Sequence, residues 1–299
     1  MVIHTWRNIF FFEGLITIIA GLGAPYFMPK SPAECWFLNE RERRIAVERL
    51  VMRNGADENE RVQFHHVTRS FLNINNYICA LGFFLINITV QGISLFLPTI
   101  LNDLGWTATK AQLYSVPPYV CACIVAIGVA FVSDKTNRRG IYLAGFTLLG
   151  ITGFAILRWA TNPNVRYMGV FFITLGAFPG GPGFLSWAMN NSAGPAIRAV
   201  SGAYVVTLGT AGGVLATCVA TNNPSRTYVS KESPKYPTGH TINLAGQIGV
   251  LFLSLAGIAY CKWENRQRDL GKRDHRLHGL SEAQIKDLGY RHPAFRYIT

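Results

Sequence analysis

The chain has 299 residues, of which 49% are hydrophobic and only 15% are charged, with a formal net charge of +12. A soluble domain of ordinary composition carries about 25% charged residues, so this composition argues against a water-soluble protein. The positive charge could indicate a nucleic-acid-binding surface. The distribution of the basic residues between the apolar segments explains the charge without such a surface.

Seven long apolar segments run through the chain. A membrane-spanning helix needs about 20 mostly apolar residues, and the segments approach or exceed that length. They are apolar nearly all round, whereas a soluble helix shows a polar face. Glu13 is the only Asp, Glu, Lys or Arg within them. The predicted spans are Ile9–Met28, Tyr77–Leu101, Leu113–Val132, Ile141–Leu157, Tyr167–Met189, Ala199–Ala220 and Ile242–Cys261.

The basic residues between the spans predict the orientation. If the connectors alternate between the two sides of a membrane, 21 of the 28 Lys and Arg residues fall on one side. They lie in the stretch 30–76, in the loops around Arg138 and Arg198, and in the tail 262–299. Cytoplasmic connectors carry such an excess. We therefore expect an integral protein of the plasma membrane whose N-terminus faces outward and whose tail is cytoplasmic.

In chain order, four parts are expected. Residues 1–29 form a single transmembrane helix, 30–76 a central cytoplasmic loop, 77–261 a bundle of six spans, and 262–299 a cytoplasmic tail. An outer loop at 221–239 contains three prolines and is not expected to be helical. The tail is too polar to span a membrane, so it is expected to follow the inner surface and then extend.

Glu13 is the acidic residue of the first span. An acidic residue inside a membrane-spanning segment is a candidate functional residue. Burial would raise the pKa of its carboxyl group, so that it could carry a coupling proton. Because Glu13 lies close in sequence to Arg7, a structural partnership is the alternative. Cys121 and Cys123 resemble a metal pair, but no His or acidic ligand accompanies them in the sequence. No metal or other cofactor is expected.

Uncharged polar residues are the candidates for a substrate path. Asn87 and Gln91 are four residues apart and share one helix face. They either line a cavity or form hydrogen bonds between helices, because a polar group in hydrocarbon needs a partner or water. Tyr119, Trp187 and Asn190 are further candidates; the Tyr119 hydroxyl suits either a carboxylate substrate or anchoring at the membrane interface.

The fifth span contains an unusual concentration of glycine and proline. These residues cannot form an uninterrupted rigid helix, and a break at membrane depth is tolerated where protein or a water-filled cavity satisfies the freed carbonyls. The pattern predicts either a bend that flexes during transport or a static kink. The residues concerned are Gly176, Pro179, Gly180, Gly181, Pro182 and Gly183.

An acid followed by basic residues occupies the loop after the third span, at Asp134, Lys135, Arg138 and Arg139. An acid–base latch in such a loop can favour one of two conformational states. The alternative is that these charges only set the orientation of the chain in the membrane. This loop resembles that of major facilitator transporters, in which glycine usually stands where this chain has Asn137. A less tight turn is therefore expected.

Several other stretches carry the same resemblance in order along the chain. They are WRNIFFFEG (6–14), FLNERERR (37–44), YSVPPY (114–119), WAMNN (187–191), PKYPTGH (234–240) and LGYRHPAFRY (288–297). Together they resemble fungal major facilitator proteins of the anion:cation symporter group, which includes allantoate and nicotinate permeases.

The resemblance implies an all-α membrane bundle with two six-span halves. This chain would hold the last span of the first half and the complete second half, as an N-terminally truncated protein that is inactive alone. The implied function is transport of a small organic anion together with a proton, with the lipid bilayer as partner and no nucleic acid.

Two other classes of membrane protein share some of these sequence features. Seven spans with an outward N-terminus also fit a seven-helix receptor, although the long connector after the first span argues against it. A membrane enzyme is not expected, because the spans contain no paired acids, nucleophile motif or His cluster.

Overall fold

The computed structural model describes residues 5–29, 31–54, 63–218, 236–281, 285 and 288–299. Within these ranges the regular structure is helical and no strand occurs. The α-helices are α1 Thr5–Phe27, α2 Glu40–Asn54, α3 Phe64–Phe71, α4 Ile74–Asp103, α5 Ala108–Tyr114, α6 Val116–Thr136, α7 Arg139–Trp159, α8 Pro163–Ala177, α9 Gly180–Asn190, α10 Pro195–Cys218 and α11 Pro237–Asp269. The chain forms two compact units, Met1–Glu60 and Arg61–Thr299.

The first unit contains the apolar helix α1, a 3-10 turn at Pro32–Glu34 and the polar helix α2. Large apolar side chains project from α1, such as Phe10 at 69% and Leu22 at 70% exposure. At the start of α2, the Arg43 Nε donates to the Cys35 carbonyl at 2.8 Å. This bond fixes the turn that leads from the span into α2.

The second unit is built around α4. Helices α10, α11 and α9 pack on α4, α7 packs between α8 and α11, and α6 lies against α8. Polar caps set two of the helix starts. The Asn73 side chain accepts the Asn75 amide at 3.1 Å before α4, and the Asn162 side chain accepts the Asn164 amide at 2.9 Å before α8.

Burial in this unit is inverted relative to a soluble protein. Large apolar side chains point outward, including Phe131 at 74% and Phe252 at 72% exposure, while Asn76 and Gln247 are fully buried. An apolar surface this extensive would associate in water, whereas lipid solvates it. Polar groups gather inside because only other protein groups can satisfy them there.

Among the described residues, seven helical segments are long and apolar enough to cross a membrane, which confirms the seven predicted spans. Most of their ends differ from expectation by a few residues, and three spans differ in a way that matters for the fold. The third span begins earlier and is divided at Ser115 into α5 and α6. The fifth is interrupted between α8 and α9, and α11 continues to Asp269, beyond the expected end at Cys261. The predicted outer loop 221–239 lies largely outside the described residues.

The tail does not simply extend from the bundle. After a 3-10 turn at Asp274–Leu277, residues 288–299 return to the ends of α9 and α11. We call residues 288–299 the C-terminal strap. It contains the whole of the family-like stretch LGYRHPAFRY.

Candidate functional site

The loop between α6 and α7 forms the predicted latch contact. Asp134, on the last turns of α6, is bonded to the guanidinium of Arg139, the first residue of α7. The Asp134 side chain is 63% exposed and that of Arg139 only 14%. The remaining two basic residues of the loop, Lys135 and Arg138, are exposed. Of the two arginines, Arg139 is therefore the one whose charge lies within the bundle.

The turn at Asn137 is as tight as glycine would make it. Asn137 adopts the left-handed conformation, with φ 53° and ψ 31°, at the end of α6. Asparagine tolerates this conformation better than most residues other than glycine. The expectation that Asn137 loosens the turn is wrong for this reason.

Arg139 also joins the latch to the fifth span. With the Asn190 amide oriented so that its oxygen faces the guanidinium, this oxygen accepts from Arg139 Nε at 2.7 Å and Nη2 at 3.0 Å. Asn190 is the last residue of α9. The contacts of Arg139 thus connect the ends of α6, α7 and α9. We call Asp134, Arg139 and Asn190 the latch, and this end of the bundle the latch end.

A crevice opens beside the latch, between α6, α7 and the α8–α9 segment. Its cavity volume is about 70 Å³. Arg139 supplies its positive charge, and the hydroxyls of Ser133, Tyr142 and Ser186 supply other polar groups. The rest of the lining is apolar side chains and the glycines and prolines of the fifth span. A crevice with a cation at its wall suits a small anion.

The glycine–proline segment forms the predicted break. Helix α8 ends at Ala177 and α9 begins at Gly180, with Phe178 and Pro179 between them. Pro179 and Pro182 lack amide protons, which leaves two carbonyls on the preceding turn without helical partners. Five of the six predicted residues line the crevice: Gly176, Pro179, Gly180, Pro182 and Gly183.

Close packing explains the glycines of this segment. A methyl group on Gly176 would lie 2.7 Å from the Phe146 carbonyl of α7, and one on Gly180 would lie 2.6 Å from Ile86 Cδ1 of α4. Gly181 lies outside the crevice and faces Phe83 of α4. A methyl group added to Gly181 would lie 3.1 Å from the Phe83 ring. The break is therefore held by helices on two sides.

The structure places the predicted polar pair of α4 apart from the latch. Asn87 is half-buried and Gln91 is exposed. The Gln91 side chain packs against Gly213 of α10. A methyl group added to Gly213 would lie 2.9 Å from the Gln91 Cγ. Neither side chain lines the crevice. Their shared face therefore lies beside α10, away from the crevice.

Tyr119 is linked to the break and Trp187 to the strap. Tyr119 is half-buried on the second turn of α6, and its ring meets Phe178 edge-on at 5.4 Å. Trp187 is fully buried, and its indole Nε1 donates to the Ile298 carbonyl at 2.8 Å. Trp187 can influence a substrate path only through its neighbours, because it presents no surface.

Sequence reasoning missed the strap contacts. The Asn191 amide accepts from Ile298 N at 2.8 Å and donates to Ile298 O at 3.1 Å. The Asn265 amide pairs with Tyr297 N and O in the same way, at 2.8 and 2.9 Å. Burial raises the pKa of the Tyr297 phenol, which therefore stays neutral. Since Asn191 follows Asn190, the strap lies one residue from the latch.

A buried polar stripe on α11 was also missed. Gln247 Nε2 donates to Thr89 Oγ1 of α4 at 3.0 Å, deep between the two helices. The signal was present in the sequence, because the buried polar residues recur at the three- and four-residue spacing of one helix face. They are His240, Asn243, Gln247, Ser254, Cys261, Glu264 and Arg268.

The end of the second unit opposite the latch has a polar cluster of its own. Tyr236 Oη donates to Asp103 Oδ2 at 2.5 Å, and Arg166 is buried within electrostatic reach of Asp103. Glu13 belongs to the first unit, where its side chain is exposed. Among the described residues, no three His, Cys, Asp or Glu side chains could together hold a metal ion.

The sequence of this chain is similar to those of known transporters. The model of the Major Facilitator Superfamily matches residues 1–217. The high-affinity nicotinic acid transporter of Saccharomyces cerevisiae is 26% identical over 98% of this chain and 53% of its own length. The MFS-type transporter cnsO of Penicillium expansum is 27% identical over 99% of the chain and 58% of its own length.

A third relative agrees with these two. The major facilitator-type transporter hxnP of Emericella nidulans is 25% identical over 98% of this chain and 58% of its own length. The chain thus spans about half the length of the curated relatives it matches. No solved structure matches it. With seven apolar spans and a family match over most of its length, this chain is a multi-span membrane protein that belongs to the major facilitator superfamily, a family of transporters rather than enzymes.

Proposed function

We propose that the protein to which this chain belongs moves a small organic anion across the plasma membrane together with a proton. The observation that carries the proposal is Arg139, a cation held at the wall of a crevice and shared between Asp134 and Asn190. A carboxylate that reaches the crevice would compete with Asp134 for the guanidinium. Substrate would thereby weaken the latch, which is the coupling that transport requires.

The path itself is proposed to involve Asn87, Gln91, Tyr119 and Asn190. Substrate sites of such transporters lie between two repeated halves. Asn87 and Gln91 share a face of α4 on which Gln91 stays exposed beside α10, which fits a position at that junction. Tyr119 contacts Phe178 at the break, so movement of α9 relative to α8 would displace its hydroxyl. Trp187 is proposed to act indirectly, through the strap.

The break at Phe178 and Pro179 is proposed to be the flexing element. Two absent helical hydrogen bonds lower the cost of bending there. Bending would move Asn190 away from Arg139, because Asn190 is at the far end of α9. Lys135 and Arg138 would contribute general positive charge at this surface, and the proposed orientation places it in the cytoplasm. Glu13 remains the proposed coupling acid.

Uptake by cells tests the proposal. The chain would replace the second half of the Saccharomyces cerevisiae nicotinic acid transporter, and saturable uptake of labelled nicotinate or allantoate would be measured. We expect uptake by the chimera, none by the 299-residue chain alone, and a large loss in the chimera carrying Arg139→Gln. Lys262→Gln removes an exposed charge from α11 and is the matched control. Undiminished uptake with Arg139→Gln would refute the role of the latch.

A further inference from the structure

A crowded group of arginines surrounds one carboxylate just beyond the last span. Glu264 is 4% exposed and interacts with three guanidinium groups. Arg268 Nη2 lies 3.4 Å from Oε1, Arg273 Nη2 lies 2.7 Å from Oε2, and Arg276 Nη1 lies 3.8 Å from Oε1. A fourth arginine joins them, since Arg276 Nη1 also donates to the Arg291 carbonyl at 3.2 Å.

This group is not neutralised by the part of the chain that the structure describes. One carboxylate faces three guanidinium groups, and the charge of Arg291 acts on Arg276 as well. Asp269 is paired with Arg296 instead, at 2.9 Å, and Asp274 forms no ion pair with a described residue. Burial, followed by the proximity of Arg273, lowers the pKa of Arg276 from its ordinary value. The Nε atom of Arg273 is buried without a hydrogen-bond acceptor among the described residues.

The position of the group relative to the apolar span identifies its environment. Trp263 is 51% exposed, two residues after the predicted end of the span at Cys261, and Arg273 lies 5.7 Å from the centre of its ring. Exposed tryptophan settles at the boundary between hydrocarbon and headgroups. Arg273 and Arg276 are partly exposed, at 25% and 26%, so a ligand can reach their guanidinium groups beside Trp263.

We propose that Arg273, Arg276 and Arg291, beside Trp263, bind the phosphate of an anionic lipid headgroup. Guanidinium groups suit phosphate because their planar donors form paired hydrogen bonds with its oxygens. A lipid is favoured over a soluble anion because the acyl chains would lie along the exposed apolar face that continues from Trp263 towards Phe252 and Leu255. Arg268 takes no part, since it is enclosed by the rings of Phe295 and Tyr297.

Binding of defined lipids to the purified 299-residue chain tests this site. The chain in detergent would be titrated with phosphatidylserine or phosphatidylcholine, and retained lipid would be counted by native mass spectrometry. We expect the double variant Arg273→Gln/Arg276→Gln to weaken phosphatidylserine binding about tenfold to thirtyfold. Phosphatidylcholine has the same phosphate beside a fixed choline cation, so its binding should be weaker from the start and should fall less in the double variant. The control Lys262→Gln/Arg266→Gln removes two exposed charges from the end of α11, the helix that leads into the arginine group.

The control should lose less than about threefold in phosphatidylserine binding, because salt screens these exposed charges and the phosphate contacts remain. Equal loss in both double variants would overturn the proposal, as would equal binding of the two lipids by the unmodified chain. Displacement of the lipid by millimolar inorganic phosphate would show a soluble-anion site and would also overturn it. If the double variant does not fold, the single variant Arg291→Gln decides the question. Its side chain forms no ion pair with Glu264 in the described structure, so the substitution leaves the buried carboxylate paired. The proposal then requires at least a threefold loss of phosphatidylserine binding.

Discussion

Replacing Arg139 by Gln should destabilise the second unit by about 2–3 kcal/mol. The pair with Asp134 accounts for a small part, roughly 0–1 kcal/mol, because the Asp134 side chain is 63% exposed and solvent screens the interaction. The bonds to Asn190 account for more. A hydrogen bond to a charged group contributes about 1.5–3 kcal/mol, and Asn190 is half-buried.

The free thiols of the chain provide the assay. Cys79 and Cys261 are fully buried, so a dye that fluoresces on reaction with thiols reports their exposure during heating. The expected loss corresponds to a decrease in Tm of about 5–10 °C. Arg138→Gln is the control, since this neighbouring side chain is exposed and forms no ion pair in the described structure.

Two results would contradict the reasoning. An unchanged Tm for Arg139→Gln would mean that the latch contributes no stability to this unit. An equal decrease for Arg138→Gln would mean that net charge, rather than the contacts of Arg139, determines the Tm.

Three further predictions concern the packing around the latch. Gly176→Ala should lower the Tm, because the added methyl group would lie 2.7 Å from a carbonyl oxygen of α7, and overpacking costs about 1–3 kcal/mol. Thr89→Val should cost about 1–3 kcal/mol, because it removes the hydroxyl that accepts from the buried Gln247 amide. Raising the pH above about 10 should release the strap, measured by proteolysis of the tail. Burial raises the folded-state pKa of Tyr297 above its unfolded value, so its stabilising contribution is complete below that pH and is lost as the pH rises through the folded-state value.

Each of these predictions has a matched control. Gly246→Ala should leave the Tm unchanged or raise it, because no atom lies within 4 Å of the added methyl group and alanine favours helix. Thr99→Val makes the same substitution at an exposed position of α4 and should be neutral. Tyr297→Phe should reduce the alkaline release of the strap. If the control and test variants behave alike in any pair, the corresponding contact does not contribute as described.

Much of the fold could be predicted because lipid imposes a simple rule. A helix in hydrocarbon must be long and apolar, so composition along the chain located all seven spans before any packing was known. The interruption of the fifth span was predictable for an equally local reason, since the absent amide protons of Pro179 and Pro182 act within one helical turn. The acid and basic residues around Asp134 indicated a latch in the same way.

The partners of individual side chains could not be predicted, because they belong to different helices. Asn190 was a candidate, but its contact with Arg139 depends on how α9 meets α7. Trp187 looked equally accessible in the sequence and is completely buried under the strap. Asn137 shows the same limit at a smaller scale, since its left-handed backbone conformation at the end of α6 was not expected from the sequence.

The sequence by itself determined which segments enter the membrane, where one of them breaks and where the positive charge lies. Each of these follows from interactions between a residue and its solvent or its own helical turn. Only the tertiary structure decided that Arg139 joins three helices, that Gln247 pairs with Thr89, and that the tail returns to Asn191 and Asn265. The apolar surfaces of these helices are nearly uniform, so hydropathy leaves their rotation and neighbours undetermined. Close contacts at glycines and buried hydrogen bonds determine them instead.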